Sequence, residues 1–341
     1  MAEIKLHLQN LYSNLSILAK KAGGKEKIIA VLKDNAYGHG LDIFARKTAD
    51  FGIIHAITRD AKEALEIAPF FADIIVLSEH KENFFTHPNI IFAINEFSAL
   101  KSVPRGAKIA LKIDSGMHRN GLNPEEFDAA LSAIKQSGVI LHSVFTHYRA
   151  ADEIGSCFFW QRENWRAVKE RIIELAKKYG INKPFFHSCN SAALLRCGEF
   201  DEDFARVGIA MYGYCDLPEA FGHFDLKPVL ELFAKRISTR ELKKGWRVGY
   251  GGVYEADKNM VSSLYDVGYS DGILRYNGQG ELKTTNGSLI LGRVSMDSMS
   301  INSSEEKISI FNDARVWAKH FDTISYDVLV KLNAKIPRFF V

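Results

Sequence analysis

The feature that most constrains the fold is a unit repeated through the first two thirds of the chain, in which a short apolar run precedes a stretch with helical periodicity. Eight such runs, rich in β-branched and aromatic residues, lie at 28–33, 53–58, 74–78, 90–94, 109–114, 141–147, 185–191 and 205–212. Most of them lack polar alternation, which is typical of strands covered on both faces of a parallel sheet. Eight strands alternating with helices therefore favour an α/β protein with a (β/α)8 TIM barrel over an open doubly wound sheet.

The last third of the chain has a different pattern. Alternating stretches at 231–240, 260–266 and 289–300 are separated by turns rich in Gly, Asn and Asp, and SYDVLVKLN near the C-terminus predicts one helix. We therefore predict a barrel domain over residues 1–226 and a β-rich domain over residues 227–341. The barrel domain would open with a helix in which Leu8, Leu11, Leu15 and Leu18 are in step.

Composition narrows the class of protein. The formal net charge is +3, from 44 Lys and Arg against 41 Asp and Glu, which is too even for a dedicated nucleic-acid or acidic-membrane binder. The four cysteines form no CxxC pair and indicate reduced thiols, so we expect a cytoplasmic protein. Polar residues interrupt the N-terminal segment, which argues against a secretory signal, and no run of about 18 apolar residues predicts a membrane span.

In a barrel of this type chemistry belongs at the C-terminal ends of the strands, and here those ends are polar. The polar residues are Lys33, Lys112, Thr146, His147, His187, Asn190 and Ser191. Lys33 ends the first apolar run, where partial desolvation would lower the pKa of its amine and make it the nucleophile that Schiff-base chemistry requires. Taken by itself, Lys33 is also explained as a lysine that reaches solvent at the barrel rim.

The string around Lys33, AVLKDNAYGHG, resembles the signature of the alanine racemase family. The resemblance implies that Lys33 holds pyridoxal 5′-phosphate (PLP) covalently and that Tyr37 also lies at the cofactor. The family usually has Ala where this chain has Asp34, a departure directly beside the lysine. The signature thus implies a PLP enzyme whose lysine has an unusual neighbour.

Further segments are similar to the family's and follow in its order: LKIDSGMHRNG, VFTHYRAADE, HSCNSAALLR, ARVGIAMYG, DVGYSDGILR, GRVSMDSMS and TISYDV. In the barrel the resemblance implies that Lys112, often carbamylated in the family, positions Arg119, which binds the substrate carboxylate. It also implies a set of cofactor contacts: His147, Asn190, Ser191, Arg206, Gly208 and Ile209. In the second domain it implies that Tyr269 is a catalytic tyrosine and that Tyr326 contacts the cofactor. It also implies that Met296, followed by Asp297, donates to the substrate carboxylate.

Elementary chemistry gives some of these assignments a reason. An arginine such as Arg206 stays protonated and can only donate, so it would leave the ring nitrogen of the cofactor unprotonated and disfavour transamination. Ser191, with the N–H groups of Gly208 and Ile209, would supply phosphate donors after the seventh and eighth strands.

Racemisation requires a base on each face of a planar Cα. Lys33 can serve one face and Tyr269 the other. The phenol would be acidified by nearby cationic groups such as Arg119 and His147. The resemblance implies that Lys33 acts on the D-isomer and Tyr269 on the L-isomer, and that Tyr269 comes from the neighbouring subunit of a homodimer. We therefore predict PLP-dependent interconversion of L- and D-alanine, which provides D-alanine for peptidoglycan of the cell wall.

The residues alone leave alternatives open. Asn190 or Ser191 is also explained as a helix N-cap. Arg206 is also explained as an ion-pair partner of Asp201 or Asp203. The sequence has no HxH, HExxH, Walker or GxGxxG motif, so we expect no metal and no nucleotide. A non-enzymatic PLP-binding barrel would lack the second domain, and a basic-amino-acid decarboxylase would place an acid where Arg206 stands, whereas a broad-specificity racemase stays open.

Overall fold

The structure is a computed structural model that describes every residue of the chain, 1–341. It divides into two compact units, each of which is described by itself. The first unit contains residues 12–36 and 41–226. The second contains residues 1–11, 37–40 and 227–341.

The first unit is built on one sheet of eight parallel strands. Numbered in chain order after β1 (Glu3–Leu6), they are β2 (Ile28–Val31), β3 (His55–Thr58), β4 (Asp73–Val76), β5 (Ile90–Ile94), β6 (Lys108–Lys112), β7 (Ile140–Phe145), β8 (Phe185–His187) and β9 (Ala205–Val207). Neighbours pair in order from β2 to β8, and β9 pairs with β2. The strands β8 and β9, at the two ends of this order, do not pair with each other. The N–H groups of Asp203 and Phe204, just before β9, donate to the Phe186 carbonyl on β8 at 3.2 and 3.4 Å and so join the two ends. The sheet is a nearly closed barrel, which confirms the predicted fold class.

The helices of this unit bury one face and expose the other. They are Leu8–Ala22, whose first residues belong to the second unit, Leu41–Phe51, Ala61–Ile67, Phe127–Ser137, Cys157–Tyr179 and Ser191–Arg196. In one of them the buried residues recur at the helical period and join a core cluster with the strands: Phe127, Ala130, Leu131 and Ile134. Because the faces of the strands are covered in this way, polar groups are left to the strand ends.

Several strands end earlier than the sequence predicts. The predicted run 205–212 is a strand only over Ala205–Val207, because residues 209–213 turn and the Met211 N–H donates to the Gly208 carbonyl at 2.9 Å. The run 185–191 likewise ends at His187. The residues freed from these strands form loops at the C-terminal end of the barrel.

The second unit is built on a seven-stranded, mostly antiparallel sheet. Its strands in spatial order are β14 (Ile290–Leu291), β15 (Met299–Ile301), β13 (Met260–Tyr265), β10 (Leu230–Leu242), β1 and β17 (Arg338–Phe340), while β16 (Lys307–Phe311) also pairs with β10. A separate pair is formed by β11 (Arg247–Val248) and β12 (Tyr254–Glu255). Two helices, Ala314–His320 and Ser325–Val330, follow in the chain, where the sequence predicted only the second. The prediction of a β-rich region is confirmed.

The division of the chain differs from the predicted one near the N-terminus. The sequence assigns residues 1–11 to the barrel domain, but β1 pairs antiparallel with β10, with Ile4 opposite Leu232. The alternating run in β1 is too short to be distinguished from the apolar helix that follows it. Residues 37–40 also belong to the second unit, so the chain changes units after residues 11, 36, 40 and 226. No helix combines the length and the apolar character that crossing a membrane requires.

Candidate active site

The chain leaves β2 through a left-handed turn that begins directly after Lys33. Its four residues are Asp34, Asn35, Ala36 and Tyr37, with φ of 55°, 57°, 51° and 51°. Left-handed backbone costs roughly 1–2 kcal/mol per L-residue, and such strain concentrates at functional sites. The Ala36 N–H donates to the Leu32 carbonyl at 2.8 Å, and the Asn35 N–H donates to the Glu63 carboxylate at 2.9 Å. Lys33 is therefore presented by a fixed piece of backbone.

Asp34, the departure from the family pattern, lies between two cations. Its carboxylate is 3.7 Å from the Lys33 Nζ and 3.2 Å from the Arg59 Nη1. The side chains of Lys33 and Asp34 are 37% and 32% exposed. Asp34 thus places a negative charge beside the amine, at a position where solvent and salt weaken its effect.

The Arg206 side chain on β9 is buried and surrounded by hydrogen-bond acceptors. Its Nη1 donates to the His187 carbonyl at 2.5 Å and to the His187 Nδ1 at 2.9 Å. Its Nη2 donates to the carbonyls of Thr146 at 2.6 Å and Ser188 at 2.9 Å. Burial lowers the pKa of Arg206 to about 10, so the group is a cation at neutral pH. Its Nε makes no hydrogen bond within the chain, which leaves one N–H for a ligand.

The ion pair between Arg206 and Asp201 or Asp203, which the sequence leaves open, is not formed. Asp201 lies 3.6 Å from the Arg162 guanidinium instead. Asp203 accepts the Phe186 N–H at 2.7 Å and so ties the end of the chain before β9 to β8. Arg206 is therefore not part of a simple surface salt bridge.

His147, two residues beyond β7, is surrounded by cations. Burial and four neighbouring charges lower the pKa of His147 to about 3, so it is a neutral imidazole. The four, from the strongest effect to the weakest, are Arg206, Lys112, Arg119 and Lys33. The His147 Nδ1 lies 3.5 Å from the Arg206 Nη2, an arrangement in which arginine donates and the imidazole proton is on Nε2. Because the groups around it already carry positive charge, these surroundings do not favour the expectation that His147 acts as a cation.

Lys112, the last residue of β6, is buried close to the same cations. Burial, then Arg119 and Arg206, lower the pKa of Lys112 to about 8. Its Nζ donates to the Asn120 Oδ1. Arg119 lies in the loop after β6 and is exposed. A lysine with this pKa has an appreciable neutral fraction between pH 7 and 8, and the neutral amine is the form that reacts with carbon dioxide.

The ends of β8 and β9 bring together donors that suit an anion. The Ser191 Oγ accepts two hydrogen bonds, from the Gly208 N–H at 3.0 Å and from the Ala210 N–H at 3.4 Å. The hydroxyl is therefore left to donate its own hydrogen elsewhere. The Ile209 N–H lies in the same turn and donates to no backbone carbonyl. A phosphate monoester has several oxygens that could accept from such a set.

The short helix after β8 begins at the same place. Asn190 is its N-cap, because its Oδ1 accepts the Ala193 N–H at 2.9 Å. The N-cap interpretation therefore applies to Asn190 and not to Ser191, whose hydroxyl accepts from the turn after β9. This contact ties the two loops together, so their donors lie side by side.

In the second unit, Tyr269 and Met296 lie on adjoining loops. The Tyr269 N–H donates to the Ser295 carbonyl at 3.1 Å. Gly268 is required at this approach, since a Cβ there would lie 2.3 Å from the Met296 carbonyl oxygen. The Arg275 guanidinium lies 5.6 Å from the centre of the Tyr269 ring. Both Tyr269 and Met296 are exposed on this unit.

Tyr37 and Tyr326 are also neighbours in the second unit. Their ring centres are 5.7 Å apart. Gly38, with φ of +79°, allows the chain to turn here, and a Cβ at this position would lie 2.0 Å from the Leu329 carbonyl oxygen. The turn after Lys33 therefore ends in the unit that carries Tyr269 and Met296.

Sequence reasoning missed a buried carboxylate behind Arg206. The Glu202 side chain is 3% exposed and accepts from the Trp165 Nε1 at 2.5 Å, the Ser188 N–H at 2.5 Å and the Ser188 hydroxyl at 2.7 Å. The Tyr148 hydroxyl lies 2.8 Å from the Ser188 Oγ and extends the network. Glu202 stands between two other acids in the sequence, so the pattern gives no signal of which one is buried.

A second missed cluster lies at the opposite end of the barrel, where the strands begin. Asp73 lies 3.2 Å from Lys108, 3.5 Å from His55 and 3.7 Å from His142. Burial acts to raise the pKa of Asp73, but His142, His55 and Lys108 hold it well below its usual range. Charges at this end of a barrel serve stability rather than chemistry. The sequence signal for this cluster was that Asp73 and Lys108 are each the charged first residue of an apolar run. Only the register of the strands brings the two residues together.

Comparison with protein families covers nearly the whole chain. Residues 6–216 match the family described as alanine racemase, N-terminal domain, and residues 229–340 match alanine racemase, C-terminal domain. Over 341 residues the chain is 48% identical to the alanine racemase of a Nitratiruptor species and 47% identical to that of Campylobacter curvus. Each of these comparisons covers 100% of both chains.

Solved structures show the same similarity in three dimensions. Alanine racemase from Bacillus anthracis with bound L-Ala-P matches with a TM-score of 0.89 at 25% identity, over 100% of this chain and 95% of that one. Alanine racemase from D-cycloserine producing Streptomyces lavendulae matches with a TM-score of 0.83 at 26% identity, over 100% of this chain and 97% of that one. Both units of the fold are therefore included in the match.

Proposed function

The chain belongs to the alanine racemase family, an amino-acid racemase family of isomerases, and on that premise we propose that it interconverts L- and D-alanine with PLP as its cofactor. The observation that carries the proposal is the set of groups at the C-terminal end of the barrel. An amine on a fixed turn, a buried arginine with a free Nε–H and a cluster of anion donors occur there together. They are Lys33, Arg206 and the Ser191–Gly208 contact.

The donor set fits PLP group by group. The Ser191 hydroxyl and the Ile209 N–H would hold the phosphate, and the Gly208 N–H would join them on leaving the Ser191 Oγ to which it donates here. Asn190 would support that loop. The Nε–H of Arg206 would donate to the ring nitrogen, which remains unprotonated because arginine does not give up its proton. Other residues proposed to contact the cofactor are Lys33, Tyr37, His147 and Tyr326. When bound, PLP withdraws electrons from the substrate Cα and so weakens its bond to hydrogen.

The two proton transfers are assigned to Lys33 and Tyr269. The Lys33 amine would take the proton from the D-isomer, and the Tyr269 phenolate from the L-isomer, on opposite faces of Cα. Each would return a proton in the reverse direction, as microscopic reversibility requires. We propose that the active unit is a homodimer in which Tyr269 comes from the partner subunit's β-rich unit, residues 227–341.

The substrate carboxylate would be bound by Arg119 and by the backbone N–H of Met296. We propose that Lys112 is carbamylated, because its pKa of about 8 leaves neutral amine to react with carbon dioxide. The carbamate would then accept from Arg119 and hold this exposed arginine in place. It would also offset part of the positive charge around His147.

The proposed role is to provide D-alanine for peptidoglycan. The proposed location is the cytoplasm, where the four free cysteines would stay reduced. A single-barrel PLP-binding protein is disfavoured as an alternative, because residues 229–340 also match the racemase family.

The most informative test is a racemisation assay on the PLP-loaded protein across a panel of amino acids, alanine and serine included. We expect alanine to be interconverted in both directions and borohydride to fix the cofactor on Lys33, as read by peptide mass spectrometry. A protein that neither binds added PLP nor racemises any amino acid contradicts the proposal.

The dimer and the second base are tested together. We expect Tyr269→Ala to abolish racemisation while PLP binding is retained, and Tyr250→Ala, at a tyrosine that is 65% exposed, to change neither. Mixing inactive Lys33→Ala and Tyr269→Ala proteins should restore part of the activity, because one site of each mixed dimer has both bases. Mixtures that stay inactive despite subunit exchange exclude a shared site.

A further inference from the structure

One peptide group in the barrel lies between a buried carboxylate and a buried guanidinium. It joins His187 to Ser188, and its N–H donates to the Glu202 Oε2 at 2.5 Å. Its C=O accepts from the Arg206 Nη1 at 2.5 Å. In a trans peptide these two groups point in opposite directions, and the chain has no cis peptide bond. The positive end of the peptide dipole therefore meets the carboxylate and its negative end meets the guanidinium, which strengthens both bonds.

Arg206 depends on this arrangement because it has no ion-pair partner of its own. Its hydrogen bonds go to carbonyls and to histidine nitrogens, although its side chain is buried. A buried charge without a counter-charge is strongly unfavourable. Of the neighbouring groups, Glu202 does most to oppose the lowering of the Arg206 pKa by burial. Glu202 thus supplies the negative charge, but from the far side of a peptide.

Glu202 is itself held in one place. Trp165 can only donate, and it donates to one oxygen, while the Ser188 N–H donates to the other. Every contact at the two oxygens comes from a donor, which suits the carboxylate form. Lys169 lies 3.8 Å away and balances the same charge from the other side. A carboxylate fixed in this way also fixes the peptide that it accepts from.

On the basis of the proposed function, we propose that Glu202 is a positioning residue for Arg206. It fixes the His187–Ser188 peptide, and that peptide holds the guanidinium so that its Nε–H stays available to the ring nitrogen of the cofactor. Glu202 touches neither cofactor nor substrate and acts only through the peptide.

The direct test needs no cofactor. In the full-length protein without PLP, NMR of isotopically labelled arginine side chains reports how quickly the Arg206 Nη hydrogens exchange with solvent, with Arg206→Lys to assign the signals. Glu202→Gln keeps the shape and removes the charge. We expect exchange about tenfold faster in this variant, since hydrogen bonds to charged groups are worth that factor or more.

Two variants separate positioning from general loosening. Asp203→Asn is the matched control, because Asp203 also accepts a backbone N–H from β8, that of Phe186, but no bond links that peptide to Arg206. Ser188→Ala removes the hydroxyl contact to Glu202 and keeps the peptide. In both variants we expect guanidinium exchange within about twofold of the wild type.

The PLP-loaded protein gives a second readout. At saturating PLP, we expect Glu202→Gln to lower kcat for alanine about tenfold while KM for alanine stays within about twofold, because Arg206 acts on the cofactor and not on alanine. Asp203→Asn should keep the wild-type kcat per folded molecule.

The outcomes test the positioning role of Glu202 and the proposed function independently. Unchanged guanidinium exchange in Glu202→Gln, or an equal increase in Asp203→Asn, overturns the positioning role. If Glu202→Gln does not fold, Glu202→Asp replaces it in the comparison. The shorter side chain keeps the charge but moves it away from the Ser188 N–H. Unchanged guanidinium exchange in Glu202→Asp also overturns the positioning role. If the wild type racemises no amino acid, the proposed function fails, while the exchange rates still decide whether Glu202 orders Arg206.

Discussion

The two ends of the barrel contain similar charged groups in opposite arrangements. Where the strands begin, Asp73 is in direct contact with Lys108 and two histidines. Where the strands end, Lys112 and Arg206 surround the neutral His147, and the buried acid, Glu202, is one peptide away from Arg206.

The difference shows how one scaffold separates stability from binding. A cation paired directly with a carboxylate has its hydrogens and its charge satisfied, so it offers little to a ligand. A cation whose counter-charge acts through a peptide remains ordered and still has a donor free, as the Nε of Arg206 does. Changes at the first end should therefore affect unfolding, and changes at the second should affect activity.

The largest expected effect is at the site end. Lys33→Ala removes the amine proposed to hold PLP and to move a proton, so we expect alanine racemisation to fall roughly 10⁴-fold. The melting temperature of the cofactor-free protein should not change. Lys81→Ala, at an exposed lysine beyond β4, serves as the control and should retain full activity. Substantial racemisation by Lys33→Ala contradicts the assignment.

The next effect is at the opposite end. Asp73→Asn leaves Lys108 without its carboxylate in a part-buried position, so we expect the free energy of unfolding to fall by about 2 kcal/mol at pH 7. Because the folded-state pKa of Asp73 is lowered, this contribution is present above about pH 4 and is lost as the pH falls further. Urea unfolding at several pH values measures both.

The control for Asp73 is Asp128→Asn, which breaks the exposed contact of Asp128 with Lys178. We expect no measurable loss of stability from it, because solvent screens that pair. If Asp73→Asn were as neutral, or if it reduced kcat at a temperature where it stays folded, the division between the two ends of the barrel would not hold.

His147 gives a smaller effect in a different pH window. Its pKa is about 3 in the folded chain against about 6.5 unfolded, so the unfolded state binds the extra proton between these values and stability falls as the pH falls. At pH 5.5 this amounts to about 1.4 kcal/mol. In the cofactor-free protein, His147→Asn should remove this part of the slope between pH 7 and 5 and leave the part due to the buried His187, whose pKa is also lowered. The exposed His223→Asn should keep both parts.

Asp34 gives the smallest effect. Because this carboxylate and Lys33 are both partly exposed, we expect Asp34→Ala to change kcat by less than about fivefold. The difference from the wild type should shrink when the salt concentration is raised from low to about 0.5 M, since exposed charges are screened. A large effect that is insensitive to salt would show that Asp34 belongs with the buried groups.

Strand periodicity predicted only part of the site. Lys33 and Ser191 end apolar runs, so periodicity alone places them at one end of a barrel, whereas Arg206 lies near the start of its run and was predicted from the family resemblance. Glu202 could not be found in this way. It is one of three consecutive acids, 201–203, and only the turn before β9 determines which of the three side chains is buried.

Contacts distant in sequence were the other limit. The pairing of Ile4 with Leu232 depends on a strand more than two hundred residues away, and no local pattern in a four-residue run signals it. Asp73 and Lys108 belong to strands separated by β5, so their contact depends on the register and curvature of the closed sheet. The fold class needed only local patterns, whereas these contacts needed the assembled barrel.

The chain passes from one structural unit to the other several times, which limits how the two units can be recombined in evolution. A fragment cut after residue 226 would retain β1 without β10, and residues 37–40 without the Leu329 backbone against which Gly38 packs. Exchange of the β-rich region for another module would therefore leave two segments of the remaining chain shaped for the part that was removed. Recombination at the apparent boundary is disfavoured, and the two units are expected to descend together as one gene segment.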